Sequence, residues 1–231
     1  MDGIVLGLGE VGSALQEVLG CDGYDNATYE PFTPPRDRYN VLHVAFPYHQ
    51  NFSEDVRSYQ QLFSAELTII YSTVPIGTSE ALGAVHSPIE GKHPNLADSI
   101  RRHTRWLGST DPGLLQVAVN VWLQVPNWGL VKTVESADFT EFLKLRSTSR
   151  YGVALAFANY EYEVASRLGM DGVYLQNFDE DYNDLYEGTG AQRYVLTDPR
   201  NHIGGHCVVP NAVLLEEQYP HELLRQVIKL G

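Results

Sequence analysis

The chain is 231 residues long and 43% hydrophobic, enough for one large or two modest domains around a real core. Its formal charge of −13 leaves no concentrated basic footprint, which excludes a nucleic-acid surface and points to small molecules or other protein chains as partners. Two cysteines far apart, Cys21 and Cys207, make neither a disulfide framework nor a metal spacing and fit a reducing compartment.

The opening GIVLGLGEVGSALQEVLG reads as a β-branched run, a glycine-rich turn and then Val11, Leu15, Val18 and Leu19 at helical spacing. No basic region precedes a long apolar segment there, so no signal peptide is expected. In Gly7-Leu8-Gly9-Glu10-Val11-Gly12, a spacing set between strand and helix, Gly7 permits the tight turn and Gly9 admits a pyrophosphate. Gly12 lets helix and strand close together, and the helix start offers N–H groups to the anion. Asp25, about twenty residues on, stands where an acid holds the ribose hydroxyls of NAD and repels a 2′-phosphate. It is equally readable as a turn aspartate, because DNAT is good turn chemistry.

Pro31, Pro34 and Pro35 then exclude helix from YEPFTPPRDRY. NVLHVAF and ELTIIYSTV read as strands, with NFSEDVRSYQQLF between them as a helix that Ser53 would cap. Strands alternating with helices predict an α/β fold, a doubly wound, mostly parallel sheet covered on both faces. In YSTVPIGTSEAL the hydroxyls of Ser72 and Thr73 close a strand at the edge where such sheets bind ligands, while Thr78 or Ser79 would cap a following helix. DPGLLQVAVNVWLQV has helical spacing. Gln116, Asn120 and Gln124 interrupt it, and it is too short to span a bilayer. GLVKTVES reads as a further strand, and a cytoplasmic protein with no membrane partner is expected.

From Ser136 to Asp171 about ten turns run without a proline, predicting one long helix that Gly152 would weaken or bend. A polar and aromatic stretch follows, then NHIGGHCVV, then a terminal helix interrupted near Pro220. The expected division is an NAD-binding domain over residues 1–134 and a helical region with the cysteine loop over 135–231. In that loop Gly204 and Gly205 would let the Cys207 thiol approach a ligand. His202 and His206 lack a third ligand at a telling distance, so no metal is expected.

STVPIGT, HSPIEG, the long helix with Lys144, and GGHC, in that order after the glycine turn, resemble the nucleotide-sugar 6-dehydrogenases that oxidise UDP-glucose or GDP-mannose. The resemblance implies Cys207 as nucleophile, Lys144 as catalytic lysine, Thr73 near the reacting water and cofactor, and Glu90 as an active-site glutamate. It implies NAD as cofactor and a homodimer through the 136–170 helix. His206 is a candidate proton carrier. Thr148 stands where that family has asparagine and Asn211 where it has aspartate, so the carboxylate that manages protons is absent or supplied elsewhere. The family's further domain, which grips the nucleotide of the substrate, has no counterpart in these 231 residues, so a shortened form is expected.

The chemistry implied is oxidation of an alcohol, by resemblance a sugar 6-hydroxyl, through a thiohemiacetal on Cys207. Two alternatives stand beside it. One is a two-electron dehydrogenase or reductase of the β-hydroxyacid type using Lys144, and the other is a catalytically silent NAD-binding regulatory or scaffold module.

Overall fold

The computed structural model describes residues 2–25, 35–91, 94–126, 129–200, 202–203 and 207–231. The chain divides into two compact units, Met1–Lys144 and Leu145–Gly231.

The first unit is an α/β layer structure on one seven-stranded sheet. Its strands are β1 (Gly3–Leu6), β2 (Asp22–Tyr24), β3 (Val41–Val44), β4 (Leu67–Ile70), β5 (Val85–His86), β6 (Arg105–Gly108) and β7 (Val131–Val134), in spatial order β2-β1-β3-β4-β5-β6-β7. Every neighbouring pair is parallel except β5 and β6, which meet antiparallel at His86 and Gly108. Between them run α1 (Glu10–Leu19), α2 (Phe52–Phe63), α3 (Thr78–Ala81), α4 (Leu96–Arg102) and α5 (Pro112–Leu123).

The central strands β1, β3 and β4 are buried at every position, without alternation, because both faces are covered. Val5, Leu67 and Ile69 pack with Leu15, Leu115 and Trp122 on one face. Ile4, Leu6 and Ile70 pack with Phe52, Val56 and Phe63 on the other. His43 in β3 is fully buried, its Nδ1 lying 3.0 Å from the Tyr71 hydroxyl, and burial lowers its pKa to about 3.

Local signals differed from expectation at two helix starts. Asn51, not Ser53, precedes α2 and makes no side-chain cap bond. Gly77 precedes α3, and the Thr78 hydroxyl turns back to donate to Pro75 O at 2.7 Å. The expected loop over 29–39 falls, through residue 34, outside the described residues.

The long helix is α6 (Ala137–Arg167), and the boundary between the units falls inside it. Ser136 Oγ accepts the Phe139 N–H at its start. It ends four residues short of Asp171, because Gly169 takes φ 69°, a left-handed value that stops a helix. Gly152 does not break it. A Cβ there would lie 2.7 Å from Val227 Cγ1 and 2.8 Å from Val208 Cγ1, so the glycine gives room for close packing within the second unit. That unit adds α7 (Val173–Leu185), α8 (Val208–Gln218) and α9 (Glu222–Lys229), the last two separated at Pro220 as expected. Gln176 Nε2 on α7 donates to the Tyr162 hydroxyl on α6 at 2.8 Å. Among the described residues no helix is long and apolar enough to cross a membrane.

Candidate active site

Two of the three glycines after β1 have steric reasons, and the third stands beside open space. Gly7 takes φ 89°, and a Cβ on it would lie 2.7 Å from Phe46 Cα. A Cβ on Gly12 would come within 1.7 Å of Gly7 O, so only glycine lets α1 close onto the turn. At Gly9 nothing lies within 4 Å of an added Cβ. Gly9 also precedes α1, whose amino end has no side-chain cap, and an uncapped helix start beside open space suits an anion. Of the intervening residues, Leu8 and Val11 pack on the core while Glu10 opens the helix at the surface.

Asp25 follows β2 and its Oδ2 accepts the Leu8 N–H at 2.7 Å, so the carboxylate faces the glycine turn. A cavity of about 270 Å³ lies beside it, with Gly7, Tyr24, Asp25, Phe46, His49 and Tyr59 among its lining residues. Aromatic walls with a carboxylate at one edge match the two halves of a nucleoside, a flat base and a hydroxylated sugar.

A second group gathers past the carboxyl ends of β4 and β5. Ser72 Oγ donates to Phe46 O at 2.6 Å and ties the turn after β4 to the one after β3. Thr73, the next residue, is half-buried. His86 lies 3.4 Å from Ser72 O through Nε2 and 2.9 Å from Thr140 Oγ1 of α6 through Nδ1. Burial lowers its pKa to about 3, opposed by the Ser72 carbonyl and helped by the Lys144 charge, so the ring is neutral near pH 7.

Lys144 Nζ donates to Ile89 O at 2.6 Å and stands 3.7 Å from Glu90 Oε1, with its side chain only 18% exposed. The adjacent carbonyl, Pro88 O, accepts from Arg105 Nη1 at 2.9 Å. Arg105 is buried with its guanidinium 4.7 Å from the centre of the Trp122 ring, and burial lowers its pKa to about 10 against the pull of Tyr71. Two cations therefore hold consecutive carbonyls of the Ser87–Glu90 loop. Lys144 and Glu90, each named by resemblance as a site residue, are brought together.

Two further carboxylates cross between α3 and α6. Glu141 accepts the Gly77 N–H at 2.7 Å and the Ser79 N–H at 2.8 Å. Glu80 accepts the Ala137 N–H at 2.8 Å and the Thr110 N–H at 2.9 Å. Glu141 is 1% exposed. Burial raises its pKa to about 7, against the hydrogen bonds from Ser79 and Gly77, and Asp138 adds to the rise.

In the second unit Cys207 is exposed and immediately precedes α8. Cys21, in the first unit, is half-buried, and burial pushes its thiol up to about 11. Asn211, one turn into α8, is buried and donates from Nδ2 to Thr148 Oγ1 at 2.8 Å. Gly204, Gly205 and His206 lie outside the described residues.

Sequence reasoning passed over His86, Arg105, Glu80 and Glu141. The available signals were a charged residue opening the apolar strand RWLG, and a glutamate one helical turn before Lys144 on the face that also carries Ala137. The partners of all four are largely backbone groups distant in sequence, which no residue letter announces.

No protein-family model and no curated protein matches the chain. Solved structures do. A UDP-D-ManNAc dehydrogenase from Pyrococcus horikoshii superposes with a TM-score of 0.79 at 18% identity, over 99% of this chain and 68% of that one. A UDP-glucose dehydrogenase from Pyrobaculum islandicum gives 0.76 at 18% identity, over 100% and 68%. A 3-hydroxyisobutyrate dehydrogenase from Mycobacterium tuberculosis gives 0.70 at 17% identity, over 99% and 91%. The chain thus spans about two thirds of the first two and most of the third. The likeness establishes a Rossmann-type α/β fold, which the alternation of strands and helices predicted.

Proposed function

We propose that the chain is an NAD-dependent oxidoreductase acting on a CH–OH group, on the likeness above the 6-hydroxyl of a sugar or nucleotide sugar. One observation carries the reading. The same unit holds a glycine turn faced by Asp25 and, past the carboxyl edge of the same sheet, Lys144 seated on Ile89 O beside Glu90. In doubly wound sheets that edge is where ligands bind.

NAD fits the first group, and when bound it would supply the hydride acceptor. Gly9 and the start of α1 would take the pyrophosphate, and Asp25 the ribose hydroxyls. Lys144 would steady the substrate oxygen as negative charge develops on it, with Glu90 as its counter-charge. Thr73 would offer its hydroxyl to the reacting water. Oxidation to an acid needs a second stage on Cys207. Its thiolate would add to the aldehyde carbon, and the oxyanion formed would pass a second hydride to a second molecule of oxidised NAD, leaving a thioester. Water then attacks, the C–S bond breaks and the thiolate returns. His206 would carry protons in that stage.

A two-electron reading, with Lys144 handling the proton and Cys207 passive, has its own support. The residue four after Cys207 is an amide bonded to Thr148, so no carboxylate stands there to receive the proton of water. Apolar side chains left exposed on α6 and α7, among them Phe157, Tyr160, Tyr174 and Phe178, are assigned to contact with a second copy of the chain. Light scattering showing a monomer at micromolar concentration would remove that assignment.

The test is turnover with NAD on UDP-glucose, GDP-mannose, UDP-N-acetylmannosamine and 3-hydroxyisobutyrate. Two NADH per acid, with acid formation abolished by Cys207→Ala, are expected. One NADH per turnover, indifferent to that substitution, decides for the two-electron reading. Tight NAD binding without turnover on any of them defeats both and leaves a binding module.

A further inference from the structure

The carboxylates on α3 and α6 are exchanged. Glu80 of α3 takes the Ala137 N–H at the start of α6, and Glu141 of α6 takes the Gly77 and Ser79 N–H groups at the start of α3. Each helix therefore satisfies amides at the other's amino end, which have no partner within their own helix. Glu141 is 62 residues from Ser79 in sequence and nearly inaccessible to solvent, so its two bonds to backbone are shielded from competition by water.

The exchange lies between two functional segments. The turn that ends at Gly77 begins at Thr73, and Lys144 follows Glu141 by three residues, about one helical turn. His86 adds a third tie between the same segments, through Ser72 O and Thr140 Oγ1. We infer that Glu141 is a positioning residue for Lys144: it anchors the first turns of α6 to the Thr73–Gly77 turn and the start of α3, and so sets where the Lys144 ammonium meets Ile89 O and Glu90. The inference draws on the oxidoreductase reading only for what Lys144 does. Its test reads Lys144 directly and needs no substrate.

Glu141→Gln keeps the shape but replaces one acceptor oxygen by an NH₂ that faces a backbone N–H. Chemical acetylation of Lys144, followed across pH by mass spectrometry on the full chain, reports the accessibility and protonation of its amine. Glu141→Gln is expected to raise the labelling rate about five-fold, the effect of losing one net hydrogen bond. Labelling of Lys132, an exposed lysine on β7, serves as the internal reference and is expected to stay constant. Hydrogen exchange at residues 77–81 is expected to quicken in parallel. Faster exchange there with unchanged Lys144 labelling overturns the inference, because the carboxylate would then serve the turn alone. Should Glu141→Gln fail to fold, Glu80→Gln decides from the other helix: increased Lys144 labelling supports the coupling, and unchanged labelling overturns it. A failure of the oxidoreductase reading would show instead as absent NADH production with Lys144 labelling behaving as expected.

Discussion

Asn211 Nδ2 donates to Thr148 Oγ1 at 2.8 Å, and Thr148 Oγ1 reaches Leu145 O at 3.3 Å, so the two positions at which the sequence departs from the resembled family face each other. The departures form one feature. An amide and a hydroxyl stand where an amide and a carboxylate were expected, and the pair is neutral and satisfied. That removes the cost of a buried carboxylate at this place and with it a proton acceptor near the start of α8.

The pair is expected to show measurable coupling. Thr148→Ala leaves a buried amide N–H unsatisfied and should cost about 1–3 kcal/mol, whereas Asn211→Ala removes donor and demand together and should cost less at that bond. A double-mutant cycle in urea should return a coupling near 1 kcal/mol. A coupling indistinguishable from zero would mean the bond contributes nothing in solution.

Gly9 and Gly12 should separate binding from folding. Gly9→Ala meets no atom within 4 Å, so its thermal midpoint should stay within about a degree of wild type. Its methyl group would occupy the space assigned to pyrophosphate, and NAD affinity should fall at least about ten-fold. Gly12→Ala drives a Cβ into Gly7 O and should lower stability by about 2 kcal/mol or more, whether or not NAD is present. Calorimetric titration and thermal melts distinguish the two, and loss of both properties in both variants would contradict this division.

Asp25 should govern the choice of dinucleotide. Its carboxylate is held at the glycine turn by the Leu8 N–H, so a 2′-phosphate would meet a fixed negative charge. NAD should bind at least about ten-fold more tightly than NADP, and Asp25→Ser should bring the two within about a factor of three. Fluorescence titration of both dinucleotides checks this. A wild-type preference for NADP would place the ribose elsewhere.

What the sequence disclosed and what it withheld divide along a physical line. The glycine turn was legible because Gly7, Gly9 and Gly12 stand close together between an apolar run and a helical pattern, and the central strands because both-faced burial writes itself as a largely apolar run. Lys144 and Glu90 came from motif order, and their contact through the Ile89 loop is 54 residues long in sequence. Helix α7 escaped notice because it has no buried residue, so its apolar positions mark no inward face. Glu141 escaped because its partners are amide groups of Gly77 and Ser79, and every residue but proline carries one.

Acid sensitivity should follow from three buried groups acting in opposite directions. His43 and His86 are held neutral, each lowered by burial from 6.5 to about 3, so below pH 6.5 the unfolded chain binds protons that the folded one refuses. Stability from these two is complete above about pH 6.5 and is lost as pH falls towards 3. Glu141 is raised from 4.5 to about 7, so between those values the folded chain binds the extra proton and stability falls as pH rises. Unfolding at pH 4.5–6.5 therefore takes up two protons and releases one, a net loss of about 1.4 kcal/mol per pH unit on acidification from these three groups. Below 4.5 Glu141 falls silent and the slope from the histidines roughly doubles. Other carboxylates add a background common to every variant, so the differences carry the test. Glu141→Gln should steepen the pH 4.5–6.5 limb by about one proton, and His86→Asn should flatten it by about one, when urea unfolding is followed across pH. If neither variant changes the slope, these groups titrate in the folded protein much as they do in the unfolded chain, and the buried charge pattern around α6 does not persist in solution.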